Sequence, residues 1–448
     1  MLPANKIETL PVAPPAAWLA FSDTKEITEV SIAPLRWIWH FYTLRLTQAG
    51  RWLLWPTVGY FAFTSASFQY QSFVPLSYFI VFWVVAAFVA VIRRPAVRAE
   101  VRHATRVWAG EFLPVEVSIE QTGKGIGLDL FVVPHCLPFA VDDRSVRTGA
   151  GGAAALPALT QGQKVNAKLA LYCGKRGNFQ LKGFRVETDF PFGIMRSYEV
   201  IKHEKTLLVY PRFSSLAHMQ LPAGRRYQPG GVALATELGD SVEFIGNRDY
   251  REGDNLRDVD WRATARLNRP IVREYRQEYF LRVAVVLDTH VPFGKGHKGK
   301  LRAADRRQDF ERAVSICAAI GEYLARKEYI VDIFAAGPNL YHLVAGRSLA
   351  YLEQILDILA CVGENPVEPF GSIEPELMEN LSRISTVICV FLEWNETRRK
   401  FVHNLQQQGV GLKTIVLSDA PSPDEYDAGG EDVRFLSRAD FETGIGEL

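Results

Sequence analysis

The sequence predicts a multidomain chain of three unlike parts: a two-helix transmembrane hairpin, a β-sandwich, and an α/β domain on a mostly parallel sheet. Three observations carry that reading. No charged side chain occurs from Trp52 to Ile92. Apolar and polar residues alternate in several runs between Glu111 and Thr188. Beyond Phe280, short apolar runs alternate with helical patterns. At 448 residues the chain has room for two or three domains.

Composition narrows the function classes. The 51 basic and 50 acidic side chains leave a net charge of +1. A nucleic-acid binder concentrates one sign on one surface, and this balance gives no reason to expect such a partner. The five cysteines, Cys136, Cys173, Cys317, Cys361 and Cys389, are dispersed without CxxC spacing. That argues against a disulfide framework or a zinc site and suits a reducing compartment.

Residues 1–34, with Pro3, Pro11, Pro14 and Pro15, read as a mobile tail. Residues 35–96 form a juxtamembrane segment and the hairpin. A bilayer core takes about 20 helical residues per crossing, so the charge-free stretch fits two spans, 52–68 and 73–92. The polar turn Gln69–Ser72 separates them. Arg36, Arg45 and Arg51 precede the hairpin and Arg93, Arg94, Arg98 and Arg102 come after it, while the turn has no positive charge. Positive residues stay inside, which predicts a two-pass protein of the inner (cytoplasmic) membrane with its soluble domains in the cytoplasm.

After the hairpin the period changes to two. "EFLPVEVSIEQ" (Glu111–Gln121), "KVNAKLALYC" (Lys164–Cys173) and "NFQLKGFRVET" (Asn178–Thr188) read as half-buried strands of a β-sandwich over 97–210. "GKRGNF" is a tight turn whose Lys175 and Arg176 are solvated. Residues 211–279 form a linker that ends in an arginine-rich motif.

Residues 280–420 alternate strand and helix: a strand at Phe280–Asp288, a helix at Arg306–Arg326, then "YIVDIFAA", "SLAYLEQILDILACV", "STVICVFLEW", "NETRRKFVHNLQQQ" and "LKTIVLSDA". Such alternation implies a mostly parallel sheet covered on both faces, with ligand sites beyond the carboxyl ends of the strands. Asp288, Glu393 and Asp419 occupy those ends. Residues 421–448 read as a C-terminal tail.

The stretch Asn247–Tyr275 holds seven arginines and six acids. "REGD" is a turn in which Gly253 supplies permissive backbone angles and Asp254 caps the next helix. "NLRDVDWRATARL" reads as that helix, of three turns, with Leu256, Val259, Ala263 and Leu267 on one face and an Asp258–Arg262 pair. The stretch contains no His, Cys or Ser, and Thr264 has no base beside it, so a catalytic reading lacks its parts. Arginine forks and carboxylates in alternation predict an ion-pair network that fixes the junction of two domains and offers part of itself to a partner.

These residues carry a resemblance. Glu243, Phe244, Arg248, Tyr250, Gly253, Asp254, Arg257, Val259, Trp261, Arg262, Thr264, Ala265, Arg266, Val272, Arg273 and Glu274 closely resemble the signature of the domain of unknown function 58 family. The chain departs from it at Asn247 and Asp249. Upstream, "KRGNFQLKGFRVETDFPFGIMR" resembles that family's Arg-Gly strand-turn and Asp-Pro-Phe-Gly, with Phe190 inserted, and the likeness extends over about Arg45 to Ala420. The resemblance implies a membrane-anchored protein with a β domain and a von Willebrand factor A-like (Rossmann-type) domain. It also implies a MoxR-type AAA+ ATPase as partner, a role as adaptor or chaperone-like protein, and no established enzymatic activity.

Two sites are incomplete. A von Willebrand A-like domain holds Mg²⁺ through Asp-x-Ser-x-Ser; here "DTHVP" keeps Asp288 but puts His290 and Pro292 at the serine positions, and a hard cation wants oxygen ligands. "GKGHKGKL" has Gly294, Gly299 and Lys300 of a phosphate loop, but Leu301 stands where Ser or Thr holds Mg²⁺. No cofactor is therefore expected. The predicted function is a non-enzymatic, membrane-anchored adaptor for protein–protein interaction with a MoxR-type ATPase and other membrane or envelope proteins. Docking is expected at Asp288 and the 291–305 loop, the loop being expected to be mobile. The rival is a metal- or phosphate-dependent hydrolase using Asp288, Lys300 and Glu393; a scaffold for envelope or polysaccharide assembly differs only in partner.

Overall fold

The computed structural model describes residues 41–67, 70–123, 125–142, 154–222, 242–252, 254, 256–277, 282–292, 296–336, 340–344, 349–417, 433–443 and 446–448. The chain is mixed α/β and multidomain, with several sheets. It divides by contact into Met1–Arg212 and Phe213–Leu448.

The first unit begins with two consecutive helices, α1 (Gln48–Ser67) and α2 (Tyr70–Ile92). Tyr70–Ser72, expected in the turn, are already helical. Among the described residues one helix, over Phe73–Ile92, is long and apolar enough to cross a membrane. Its Tyr78, Val84, Phe88 and Val91 are exposed, as side chains meant for lipid would be. In α1, Thr57, Thr64, Ser65 and Ser67 dilute the apolar content, and each of the first three hydroxyls turns back onto a carbonyl of its own helix.

Nine strands come next among the described residues: β1 (Val97–His103), β2 (Arg106–Trp108), β3 (Phe112–Gln121), β4 (Leu130–Pro134), β5 (Val141–Asp142), β6 (Ala154–Ala155), β7 (Lys164–Cys173), β8 (Gly177–Thr188) and β9 (Ser197–Tyr210). They form a four-stranded sheet, β1-β3-β7-β5, and a five-stranded sheet, β2-β9-β8-β4-β6. Strict alternation in β3 buries Leu113, Val115, Val117 and Ile119, which join Leu171, Phe184, Val186 and Leu207 in one core. The run after β8 has a job within this unit. Leu46 bridges Met195, Thr47 N–H donates to Ile194 O at 3.1 Å, and Leu46, Ala86, Ala90, Ile194 and Met195 form one buried cluster at the base of the helices.

The second unit opens with a segment that pairs with the chain's end. His218 bridges Glu447, Leu448 N–H donates to His218 O at 3.1 Å, and Arg326 Nη2 donates to Leu216 O at 2.5 Å. A two-stranded ribbon is next, β10 (Val242–Asp249) with β11 (Ile271–Gln277), carrying the short helix α3 (Trp261–Leu267). The remainder is a six-stranded sheet. Its strands are β12 (Arg282–Leu287), β13 (Ile330–Ala336), β14 (Leu340–Val344), β15 (Thr386–Phe391), β16 (Gly411–Leu417) and β17 (Val433–Leu436), in the order β14-β13-β12-β15-β16-β17. All pairings are parallel except β13 with β14. Helices α4 (Gly296–Arg326), α5 (Leu349–Cys361), α6 (Phe370–Asn380), α7 (Glu396–Gln407) and α8 (Arg438–Thr443) complete the unit. Runs such as "TVICVF" in β15 are buried at every position, as strands covered on both faces must be.

Three expectations change here. The helix after β12 begins at Gly296, not Arg306, so most of the expected 291–305 loop is helical. The C-terminal stretch read as a tail supplies the edge strand β17 and α8, whose Arg438 lies 3.5 Å from Asp309. Residues 216–220, read as linker, pair with residues 446–448.

Candidate functional site

The parallel strands β12 and β15 end at one edge of the sheet, and Asp288 comes directly after β12 there. Both its carboxylate oxygens are engaged. Oδ1 accepts His290 N–H at 3.0 Å. Oδ2 accepts Leu392 N–H at 3.2 Å and Arg398 Nε–H at 2.9 Å, with Arg398 Nη2 at 2.7 Å. Asp288 and Arg398 side chains are each 0% exposed.

Arg398 arrives through helix periodicity. Asn395 caps α7, accepting Arg398 N–H at 3.1 Å, and the helix buries Arg398, Phe401, Val402 and Leu405. An arginine on the apolar stripe points its head at the strand ends; it lies over the Phe370 ring at 5.3 Å. Its Nη1 reaches Glu393 Oε1 at 3.0 Å and Glu368 Oε1 at 3.5 Å. The Nη atoms are close to these oxygens but off the hydrogen-bond direction, so Nε is the directed donor and the rest is ion pairing. Arg306 binds the other side of Glu393 and donates to Leu392 O at 2.8 Å, and Arg307 pairs with Glu364 at 2.8 Å.

Around the buried pair, then, three carboxylates (Asp288, Glu368, Glu393) face two guanidiniums. His290, Glu368 and Glu393 also bring one potential ligand atom each within 4.8 Å of the others. A divalent ion among them would share its carboxylates with Arg398 and sit against a fixed positive charge. The resident cation of this edge is the arginine. A pair of this kind is held in place more by the cost of breaking it than by its net gain over apolar packing.

Of the residues in the hydrolase reading, Asp288 and Glu393 come together, and Lys300 lies inside α4. Gly299 and Lys300 of "GKGHKGKL" are therefore within the helix and not in a loop ahead of it, where the phosphate-cradling geometry would form, and Gly294 lies outside the described residues. Asp419 lies outside the described residues.

The arginine-rich motif forms the ribbon and α3. The expected three-turn helix is a 3₁₀ turn, Leu256–Asp258, and then α3. Asp260 is the cap of α3, accepting Arg262 N–H at 3.1 Å and Ala263 N–H at 3.0 Å. Asp254 instead receives both prongs of Arg248 at 2.7 and 2.8 Å, and Arg251 N–H at 2.7 Å. These donors, Arg248 first, hold its carboxyl down at about 2. Asp260 is likewise lowered, by the Ala263 amide and then by Arg273, which lies 3.3 Å away. Thr264 Oγ1 accepts Ile271 N–H at 3.0 Å, tying α3 to β11. Among the described residues of the motif, Val259, Ala263, Ile271 and Val272 are buried.

The arginines divide unevenly. Arg248, Arg269 and Arg273 pair with Asp254, Asp249 and Asp260, all within the motif. Arg262 and Arg266 are exposed and make no ion pair with a described residue, so the expected Asp258–Arg262 pair is not formed. Trp261 is 68% exposed. Tyr250 and Arg257 are exposed as well. Gly253 lies outside the described residues.

Residues 246–382 match the family described as a protein of unknown function, DUF58. The chain carries a DUF58 region. It takes in the ribbon, α3 and the sheet as far as the turn before β15. A curated relative, the uncharacterized protein YeaD of Bacillus subtilis, is 22% identical over 319 residues, covering 70% of this chain and 73% of its own. A solved structure, the GH20 exo β-N-acetylglucosaminidase of Vibrio harveyi, aligns over 76% of this chain and 78% of its own at 8% identity. Its TM-score of 0.18 carries no argument.

Arg398 is the residue that sequence reasoning missed. The signal was present: Arg398, Phe401, Val402 and Leu405 keep helical spacing, so an arginine stood on the apolar stripe.

Proposed function

We propose that this chain, with its DUF58 region, is a membrane-anchored, non-enzymatic adaptor whose C-terminal sheet is a von Willebrand factor A-like domain that docks a protein partner, a MoxR-type AAA+ ATPase in the first instance. In this reading α1 and α2 are a two-pass anchor in the cytoplasmic membrane. The strand order, with one antiparallel strand next to β13, supports the domain reading. The observation that carries the function is Asp288. The carboxylate that would hold a metal is saturated by Arg398 and two backbone amides, while the rim around it (Glu364, Val367, Glu368, Arg307) is charged and open. A surface of that kind suits recognition more than turnover.

The test is affinity isolation of the full chain from detergent-solubilised membranes, compared with the charge-reversed rim variant Arg307→Glu/Glu368→Arg. An AAA+ ATPase recovered with the parent and lost with the variant supports the reading. Equal recovery, or no reproducible partner, overturns it. Micromolar Mg²⁺ or Mn²⁺ binding to the parent chain in calorimetry would favour the hydrolase reading instead.

A further inference from the structure

We propose that the outward face of α3 and the 3₁₀ turn before it is a lipid-contact surface, resting on an anionic bilayer. This rests on the membrane-anchor reading above. Three large apolar residues are exposed there, Leu256, Trp261 and Leu267, at 66%, 68% and 48%. Arg262 and Arg266 stand one turn apart beside Trp261, exposed and without an acidic partner among the described residues. From 256 to 270 no fully exposed residue is acidic, because Asp258 and Asp260 are turned partly inward. Asp260 is used in building the arm, capping α3 and meeting Arg273, while Asp249 pairs with Arg269 and Glu252 is exposed in the preceding turn. The outward remainder is a tryptophan, two leucines and guanidiniums.

Each residue type fits one occupant. Tryptophan partitions to the headgroup level of a bilayer, and leucine reaches just below it. Guanidinium binds phosphate through paired donors and keeps its charge at any relevant pH. The bilayer is also the one surface this chain already has a means of reaching, through the apolar helix over Phe73–Ile92. A second, weak contact made by an anchored molecule is intramolecular in effect, so it needs few residues. In the two-pass reading the arginines stand at both ends of the helical pair, Arg51 in the first turn of α1 and Arg93 and Arg94 directly after α2, which puts the soluble domains on the cytoplasmic side, where anionic lipids attract basic segments.

The experiment uses the full chain in nanodiscs of zwitterionic lipid or of zwitterionic lipid mixed with phosphatidylglycerol, and tracks amide hydrogen exchange. Peptides over 73–92 report insertion; peptides over 256–267 report the arm. The expected result is protection of 73–92 in both discs, with exchange at 256–267 slowed on the order of tenfold only in the anionic disc. Arg262→Gln/Arg266→Gln and high salt should each remove the slowing, and Trp261→Ala should reduce it. Equal rates at 256–267 in the two discs, with 73–92 protected in both, overturn the proposal and leave the anchor standing. Equal slowing by soluble glycerol phosphate also overturns it, since a bilayer would then not be required. Free exchange at 73–92 removes the anchor and the proposal with it.

Discussion

The carboxyl edge of the sheet and the arginine-rich arm are built from the same pairing of guanidinium with carboxylate, turned in opposite directions. At the sheet edge the arginine is buried and the acids Glu368 and Glu393 look outward. In the arm the acids Asp254 and Asp260 are mostly covered while Arg262, Arg266 and Trp261 face solvent. The first arrangement fixes a fold and leaves a mixed, partly acidic rim. The second leaves a cationic, aromatic one. Density of charge in a sequence therefore says little about function until the direction of each side chain is known.

The comparison is broken most forcefully at Arg398. Arg398→Ala leaves Asp288 charged in a dry site and should cost about 3–5 kcal/mol, read as a large drop in the thermal midpoint of the detergent-solubilised chain. The double change Asp288→Asn/Arg398→Met removes both charges and should recover much of that loss. If the single variant unfolds like the parent, the pair does not organise the edge.

Asp254 gives a smaller, local effect in the arm. Its folded pKa, about 2, lies below the ordinary 3.8, so the stabilisation is complete above about pH 4 and is lost as pH falls toward 2. Hydrogen exchange at 248–254 should quicken over that window, and Arg248→Ala should produce the same quickening at neutral pH. No change on acidification would remove Arg248–Asp254 as the hinge pin of the turn.

The smallest expected effect contrasts the cores with their margins. Burial pushes the Cys173 thiol up to about 11 and raises Cys317 and Cys389 further. These three should resist alkylation at pH 8 until the chain unfolds, while half-buried Cys136 and Cys361 react first. Early labelling of Cys389, in the middle of β15, would mean the sheet opens more readily than its packing implies.

The sequence made the long patterns legible. A charge-free run, strict alternation in β3 and β7, and four-residue apolar spacing after β12 are properties of the chain itself: β3 and β7 lie within a residue of their expected bounds, and helices form where the other two patterns stand, though they start earlier than expected. The failures depended on partners. Asp254 looked like the helix cap, but Arg248 and Arg251 claim it and Asp260 caps instead. The start of α4 was obscured by Gly296 and Gly299, poor helix formers at the margin that the amphipathic helix behind them extends through. Pro366, Pro369 and Pro375 mask the helical spacing of Phe370, Ile373 and Leu377, yet α6 forms there because those three side chains fill the core beside β15. Arg398 sat in the run Arg398-Arg399-Lys400, and only the stripe it shares with Phe401 and Leu405 distinguishes it from its neighbours.

The two faces can be separated in one measurement: a photo-crosslinking residue placed at Trp261 or at Val367 in the full chain, irradiated in native membranes. The proposals that the cationic aromatic face contacts the bilayer and the rim around Arg398 a partner predict adducts of lipid mass from position 261 and of protein mass from position 367. Protein adducts from 261 with none from 367 would contradict that division of labour.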